Sequence, residues 1–291
     1  MSCASGHLQV PNRALEALLA AAAGLLFSIA AAQAAEILPE GGKLLPVERI
    51  QLYAEEHGKG PTLVLLHNFG SSSQAWKFAL PELAGRFHVV LIDLPGHGHS
   101  TGWSVPKFDY PGAAHAIFEV LDKLGVNDFE LIGPSIGGAL ALRMAAEQPE
   151  RISALVTIGG FDRVSDEAAA ILKAPGCETL SPDELELQRK IHANGDEQIR
   201  AIQKQFCNEV ENTGALTPPL AKIKARTLIV QGDHDRFFPL HVGVGLYAAI
   251  PKSYLWVVPD AGHLPCFDEK HRDSFLKVAL DFLGSDWESR H

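Results

Sequence analysis

Gly133-Pro134-Ser135-Ile136-Gly137 is the stretch on which the reading of this chain turns. An apolar run, Phe129-Glu130-Leu131-Ile132, precedes it, and the small-residue segment Gly138-Ala139-Leu140-Ala141-Leu142 follows. A Gly-x-Ser-x-Gly at a sharp turn from strand to helix lifts the serine hydroxyl above the sheet, within reach of a base. Glycines suit such a turn because its backbone is strained and side chains there would collide. Ser135 is therefore a candidate nucleophile, and the rest of the chain must supply its partners.

Outward from this turn, strand-like and helix-like segments alternate from Leu44 onward, which reads as a mostly parallel sheet with helices on both faces. Residues 49–55 alternate in polarity and are expected to form an edge strand. Residues 62–67 and 88–93 are apolar runs, as strands buried on both faces should be, and 74–85 reads as a helix. Residues 110–124 place Ala114, Ile117, Phe118, Leu121 and Leu124 at helical spacing. The helix after Ser135 is expected to run to about 148, with a strand at 152–158. The rhythm then breaks: 161–224 contains helix starts but no strand. Ser181-Pro182-Asp183-Glu184 reads as a capping box with proline at the first helical position. Asp196 is expected to cap a helix over 197–211, and Thr217-Pro218-Pro219 to end the insert. Sheet order resumes with a strand at 226–231, a helix at 240–250, a strand at 254–258 and a helix at 269–283. The expected organisation is a core of 44–160 and 225–284 with a helical cap over 161–224.

The chain has 291 residues, 46% hydrophobic and 21% charged, as in an ordinary globular protein. Its net charge of -10 and lack of a basic run argue against a nucleic-acid partner. Residues 1–35 look like a targeting segment: Arg13, an uncharged stretch over 17–35, small residues Ala32 and Ala34 at a cleavage site, then Glu36. They are read as a signal peptide for export to the periplasm or medium. Glu16 and the single arginine fit this less well, leaving an uncleaved anchor or a cytoplasmic protein as alternatives. Membrane contact is expected only through this segment. Removing it leaves Cys177, Cys207 and Cys266, an odd number. Cys177 and Cys207 could pair in an oxidising compartment, or remain as thiols. No cysteine spacing fits a zinc site.

A serine hydroxyl needs a base within hydrogen-bond reach and a carboxylate to orient that base. Candidates follow later strands, at the edge where open α/β sheets bind ligands: Gly232-Asp233-His234-Asp235 after Gln231, and Ala261-Gly262-His263 after Val258. The chain order Ser, Asp, His distinguishes this arrangement from the other serine-hydrolase orders. His67-Asn68-Phe69-Gly70 and Asp93-Leu94-Pro95-Gly96-His97-Gly98-His99-Ser100 complete the set of motifs. With them the chain resembles, from about Leu44 to Leu283, a serine-type α/β-hydrolase with a helical cap. The first motif sits where that family has a His-Gly-x-x oxyanion turn, and the second matches its D-x-P-G-H-G-x-S segment.

The resemblance implies an eight-stranded sheet, a small-molecule substrate, and neither cofactor nor metal. Ser135 would be the nucleophile, His263 the base and then the acid, and Asp235 the orienting carboxylate. The N–H groups of Phe69 and Ile136 would form the oxyanion hole. Loss of one such donor typically costs on the order of 10²–10³ in rate. Asp162 is the rival carboxylate, since some relatives place the acid after the preceding strand; Asp233 reads as a turn residue. His97 and His99 are read as hydrogen-bonding their loop rather than binding metal. Asn68, which replaces the family's usual glycine, and Phe161, Phe206, Phe237, Phe238, Trp103 and Leu264 are candidate pocket residues, with core packing the alternative. Pro134 is unusual before the nucleophile. A serine speaks against dehalogenase and epoxide-opening chemistry, which use an aspartate ester. Cleavage of a carboxylic ester of a small, largely apolar substrate through an acyl-enzyme is the leading expectation. Carbon–carbon hydrolysis of ring-cleavage products is the alternative, although those enzymes usually carry Trp where this chain has Leu264. Lactonase, amidase or perhydrolase activity, or a receptor role without turnover, also remains open.

Overall fold

The computed structural model describes residues 42–102, 104–212, 216, 219–285 and 287. The targeting segment expected over 1–35, Trp103, Thr217 and Pro218 lie outside the described residues. Eight strands form one sheet: β1 (Lys43–Val47), β2 (Ile50–Gly58), β3 (Thr62–Leu65), β4 (His88–Ile92), β5 (Phe129–Pro134), β6 (Ile152–Ile158), β7 (Arg226–Gly232) and β8 (Ser253–Val258). Their order is β1-β2-β4-β3-β5-β6-β7-β8, antiparallel at β1–β2 and β2–β4 and parallel elsewhere. The apolar runs of β3 and β4 lie inside the sheet, where helices cover both faces. Residues 49–55 are not an edge, contrary to expectation. β2 is covered by β1, whose Pro46 hides its strand character in sequence but is tolerated in an outermost strand.

The helices are α1 (Leu80–Ala84), α2 (Tyr110–Lys123), α3 (Ile136–Glu147), α4 (Asp166–Leu172), α5 (Pro182–Ile191), α6 (Gly195–Asn208), α7 (Leu240–Ala249) and α8 (Arg272–Gly284). The single helix expected over 74–85 is instead a 3₁₀ turn, Ser73–Trp76, followed by α1. Pro81 accounts for the break: it lacks an N–H and fits only a helix's first turn. Trp76 is fully buried against Phe267 and Phe275 and donates its indole N–H to the Leu66 carbonyl at 2.7 Å. α3 packs on β5 and β6 through its small buried residues Gly137, Gly138, Ala139 and Ala141.

Segment 161–224 contains α4, α5, α6 and two 3₁₀ turns, with no strand among the described residues. Ser181 and Glu184 form the expected capping box at α5. Asp196, however, does not cap α6: Asn194 holds that position, and both Asp196 oxygens accept from Arg189 at 2.7 Å. Cys177 and Cys207 form a disulfide within this segment, and Cys266 is a buried thiol. Amide side chains along one side of α6 fasten it to the loop after β4. Gln198 donates to the carbonyls of Gly96, Gly98 and Ser100, and Gln205, Asn208 and Asn212 donate to those of Val105, Pro106 and Phe108.

Candidate active site

Ser135 sits between β5 and α3 with φ 53° and ψ -120°, a left-handed value rare for a residue with a side chain. The turn is tight enough that only glycine fits at positions 133 and 137. A Cβ on Gly133 would lie 2.2 Å from the Gly137 carbonyl oxygen, and one on Gly137 would lie 2.5 Å from that of His67. The Ser135 N–H donates to the Ile158 carbonyl at 2.8 Å, tying the turn to β6. Pro134 ends β5, where its missing N–H breaks no hydrogen bond of the turn.

His263, in the loop after β8, places Nε2 2.9 Å from Ser135 Oγ. Its Nδ1 lies 2.7 Å from Asp235 Oδ2. The loop after β7 holds Asp235 firmly: Oδ1 accepts from the N–H groups of Phe237 and Phe238, and Oδ2 also accepts from the Gln231 amide. Phe237 and Phe238 flank the imidazole at 5.4 and 5.6 Å, and Phe161 stacks on Phe238 at 4.0 Å. Such a chain can draw the proton from the serine as it attacks a carbonyl and return it to the leaving group. Asp162 instead pairs with Arg163 at 2.9 Å, and Asp233 accepts from the Ala261 N–H, as a turn residue does.

Phe69 and Ile136 both border the cavity at Ser135. Among the described residues neither main-chain N–H has an acceptor, so both are free to meet a developing oxyanion. The turn carrying Phe69 is braced from behind. His67 Nδ1 donates to the Asn68 carbonyl at 2.8 Å, and Nε2 accepts from the Leu94 N–H at 2.9 Å. Asp93 accepts from the N–H groups of Ser73 and His99. Burial works to raise the Asp93 carboxyl, but its bonds to His99 and the nearby His67 hold it below the usual range. His97 Nδ1 donates to the Pro95 carbonyl, and His99 lies 3.4 Å from Asp93. Among the described residues no three metal-ligating side chains cluster.

The cavity is lined by Phe161, Phe206, Phe237 and Phe238, with Val164, Ala168 and Leu172 from the inserted segment. It is narrow, about 30 Å³, roughly one water's share of the liquid. Asn68 and Leu264 do not line it. Asn68 turns its amide to the Phe69 carbonyl, and Leu264 belongs to the hydrophobic core. Tyr110 and Glu209 do line it and were not anticipated. The available signal was polar residues at 205, 208, 209 and 212, one side of a helix, in a segment otherwise read as a lid.

The model of the alpha/beta hydrolase fold family matches residues 61–189 and 188–270. This chain belongs to that family. The hydrolase is 28% identical over 268 residues to the 2-hydroxy-6-oxo-6-phenylhexa-2,4-dienoate hydrolase of Burkholderia cepacia, covering 82% of this chain and 93% of that one. It is 30% identical over 282 residues to a 2-hydroxy-6-oxononadienedioate/2-hydroxy-6-oxononatrienedioate hydrolase of Klebsiella pneumoniae, covering 84% and 93%. Among solved structures, a meta-cleavage product hydrolase from Pseudomonas fluorescens superposes with a TM-score of 0.68 at 21% identity, over 84% of this chain and 98% of that one. An enol-lactonase from Burkholderia xenovorans gives 0.69 at 22% identity, over 84% and 100%.

Proposed function

We propose that this hydrolase cleaves the ester or lactone bond of a small, largely apolar acyl compound through an acyl-enzyme on Ser135. The observation that carries the proposal is the continuous chain from Ser135 Oγ to His263 Nε2 and from His263 Nδ1 to Asp235 Oδ2. In this reading Ser135 attacks the carbonyl carbon while His263 takes its proton. The N–H groups of Phe69 and Ile136 hold the oxyanion, and His263 protonates the leaving alkoxide. Water activated by His263 then releases the acid. Segment 161–224 serves as a cap that sets substrate size, since Val164, Ala168, Leu172 and Phe206 line the cavity. Export is proposed with it: the disulfide of Cys177 and Cys207 suits an oxidising compartment, and N-terminal sequencing of secreted protein tests it.

A second reading, carbon–carbon hydrolysis, is favoured by the names of the relatives in sequence, which speak for it more strongly than for ester cleavage. The pocket speaks against their substrates. Those compounds are named as carboxylates, whereas among the described residues no Lys or Arg lines the cavity, and Leu264 follows the base. Stopped assays decide between the two. We expect p-nitrophenyl esters of short acyl chains to be turned over by the wild type and not by Ser135→Ala. We expect 2-hydroxy-6-oxo-6-phenylhexa-2,4-dienoate to be turned over far more slowly. The reverse order would replace the first reading with the second, and equal background rates for wild type and Ser135→Ala on both compounds would discard both.

A further inference from the structure

The cavity at Ser135 is apolar except for the reacting groups and one wall, where Tyr110 and Glu209 stand among phenylalanines. Tyr110 comes from the first turn of α2 and Glu209 from the 3₁₀ turn that follows α6. Tyr110 donates its hydroxyl to Glu209 Oε1 at 2.7 Å, and Asn212 donates its amide to Oε2 at 3.0 Å. Each carboxyl oxygen carries two acceptor sites, so one remains on each after these bonds. The neighbouring ammonium of Lys107 favours the charged form but donates to the Glu211 carbonyl, not to Glu209. Burial outweighs these influences and pushes Glu209 up to about 7. Burial and the adjacent carboxyl push Tyr110 far above its ordinary value, so it stays a neutral donor. Among the described residues, His263 is the other titratable side chain on the cavity wall.

We infer that Glu209, held by Tyr110 and Asn212, is a specificity residue that accepts a hydrogen bond from a hydroxyl on the substrate's far end and turns carboxylate-bearing substrates away. The hydroxyl meets an acceptor already oriented and desolvated. A carboxylate brings a second negative charge beside Glu209, into a cavity that no Lys or Arg lines among the described residues. The alternative role is structural: Glu209 lies in the row of polar residues that fasten α6 to the loop after β4. A purely structural group would not discriminate between ligands that differ only at one end.

The inference rests on Ser135's cavity being the substrate site, and binding without turnover keeps its failure distinct from failure of the hydrolase reading. The protein is Ser135→Ala, and the ligands are methyl hexanoate, methyl 6-hydroxyhexanoate and monomethyl adipate, titrated by calorimetry near pH 6 and near pH 8. We expect the hydroxy ester to bind about tenfold more tightly than the hexanoate. The adipate should bind more weakly than the hexanoate, with a gap that widens toward pH 8 as Glu209 ionises. Because His263 also faces the cavity, the series is repeated with His263→Ala added, where the widening must persist. Adding Glu209→Gln instead should remove most of the adipate gap. Equal affinities for the three ligands, no binding of any, or a gap unchanged by pH in the protein lacking His263 would each overturn the inference.

Discussion

Asp235 takes four N–H groups on its two oxygens, so neither oxygen can swing away and the His263 ring is held with Nε2 toward Ser135. An amide at this position would keep the shape but favour the wrong imidazole tautomer. Asp235→Asn should therefore lower kcat on a turned-over ester by about 10⁴-fold while leaving the melting temperature close to wild type. Asp162→Asn, which removes only an ion pair with Arg163, should stay within a few-fold. A large loss at Asp162 and little at Asp235 would reverse the assignment. Ser135, Asp235 and His263 were legible because each follows the end of a recognisable strand, and topology brings such ends together. Asn68 and Leu264 were misplaced because a loop residue's neighbours depend on backbone turns that no periodicity encodes. Glu209 was missed because a carboxyl in a charged helical segment reads as solvated until the surface facing it is known.

At the scale of elements, the inserted segment is held in two different ways. Its own closure is covalent, since the Cys177–Cys207 bridge joins the chain after α4 to the end of α6 across 30 residues. Its attachment to the sheet is polar, through Asn194, Gln198, Gln205, Asn208 and Asn212 donating to main-chain carbonyls of 96–108. Those residues recur at helical spacing, yet a search for apolar periodicity passes over them. Closing a loop of this length is worth roughly 3–4 kcal/mol in the chain-entropy model. Replacing both cysteines by serine should lower the melting temperature measured without reductant and abolish its response to dithiothreitol. A double variant that melts with oxidised wild type would show that the bridge contributes nothing. The start of α5, marked by a capping box with proline at its first position, was readable. The outermost strand β1 was not, because Pro46 interrupts its pattern.

Across the whole molecule, buried histidines set the response to acid. Burial pushes His67, His97 and His192 below the ordinary imidazole value, His192 to about 3. The unfolded chain takes up protons near 6.5 that the folded chain refuses. Each of these groups thus contributes stability fully present above about pH 6.5 and lost as the pH falls toward its folded value, at about 1.4 kcal/mol per pH unit. Glu209 has the opposite sign. Raised to about 7, it favours the fold most below its unfolded value near 4.5 and loses that contribution as the pH climbs to 7. In mildly acidic solution the Glu209 trend offsets only part of the histidine trend, and below about pH 4.5 it ceases to do so. His192 joins the inserted segment to the loop after β4 by accepting from the Gly98 N–H at 2.9 Å, a bond a glutamine oxygen can replace. His192→Gln should therefore show a shallower fall in melting temperature between about pH 6 and pH 4 than wild type. Parallel curves would mean that His192 is not a source of the acid sensitivity.

The three hydrogen-bonded side chains lie far apart along the chain. Ser135 precedes His263 by 128 positions, and the loop carrying His263 follows β8, which pairs with β7. Because domains fold largely as units once their last elements are present, a chain still leaving the ribosome is expected to hold Ser135 without its base. With Ser135 as the proposed nucleophile, labelling by a fluorophosphonate is expected only of chains that have completed folding, and a nascent or truncated chain lacking its last strand is expected to stay unlabelled.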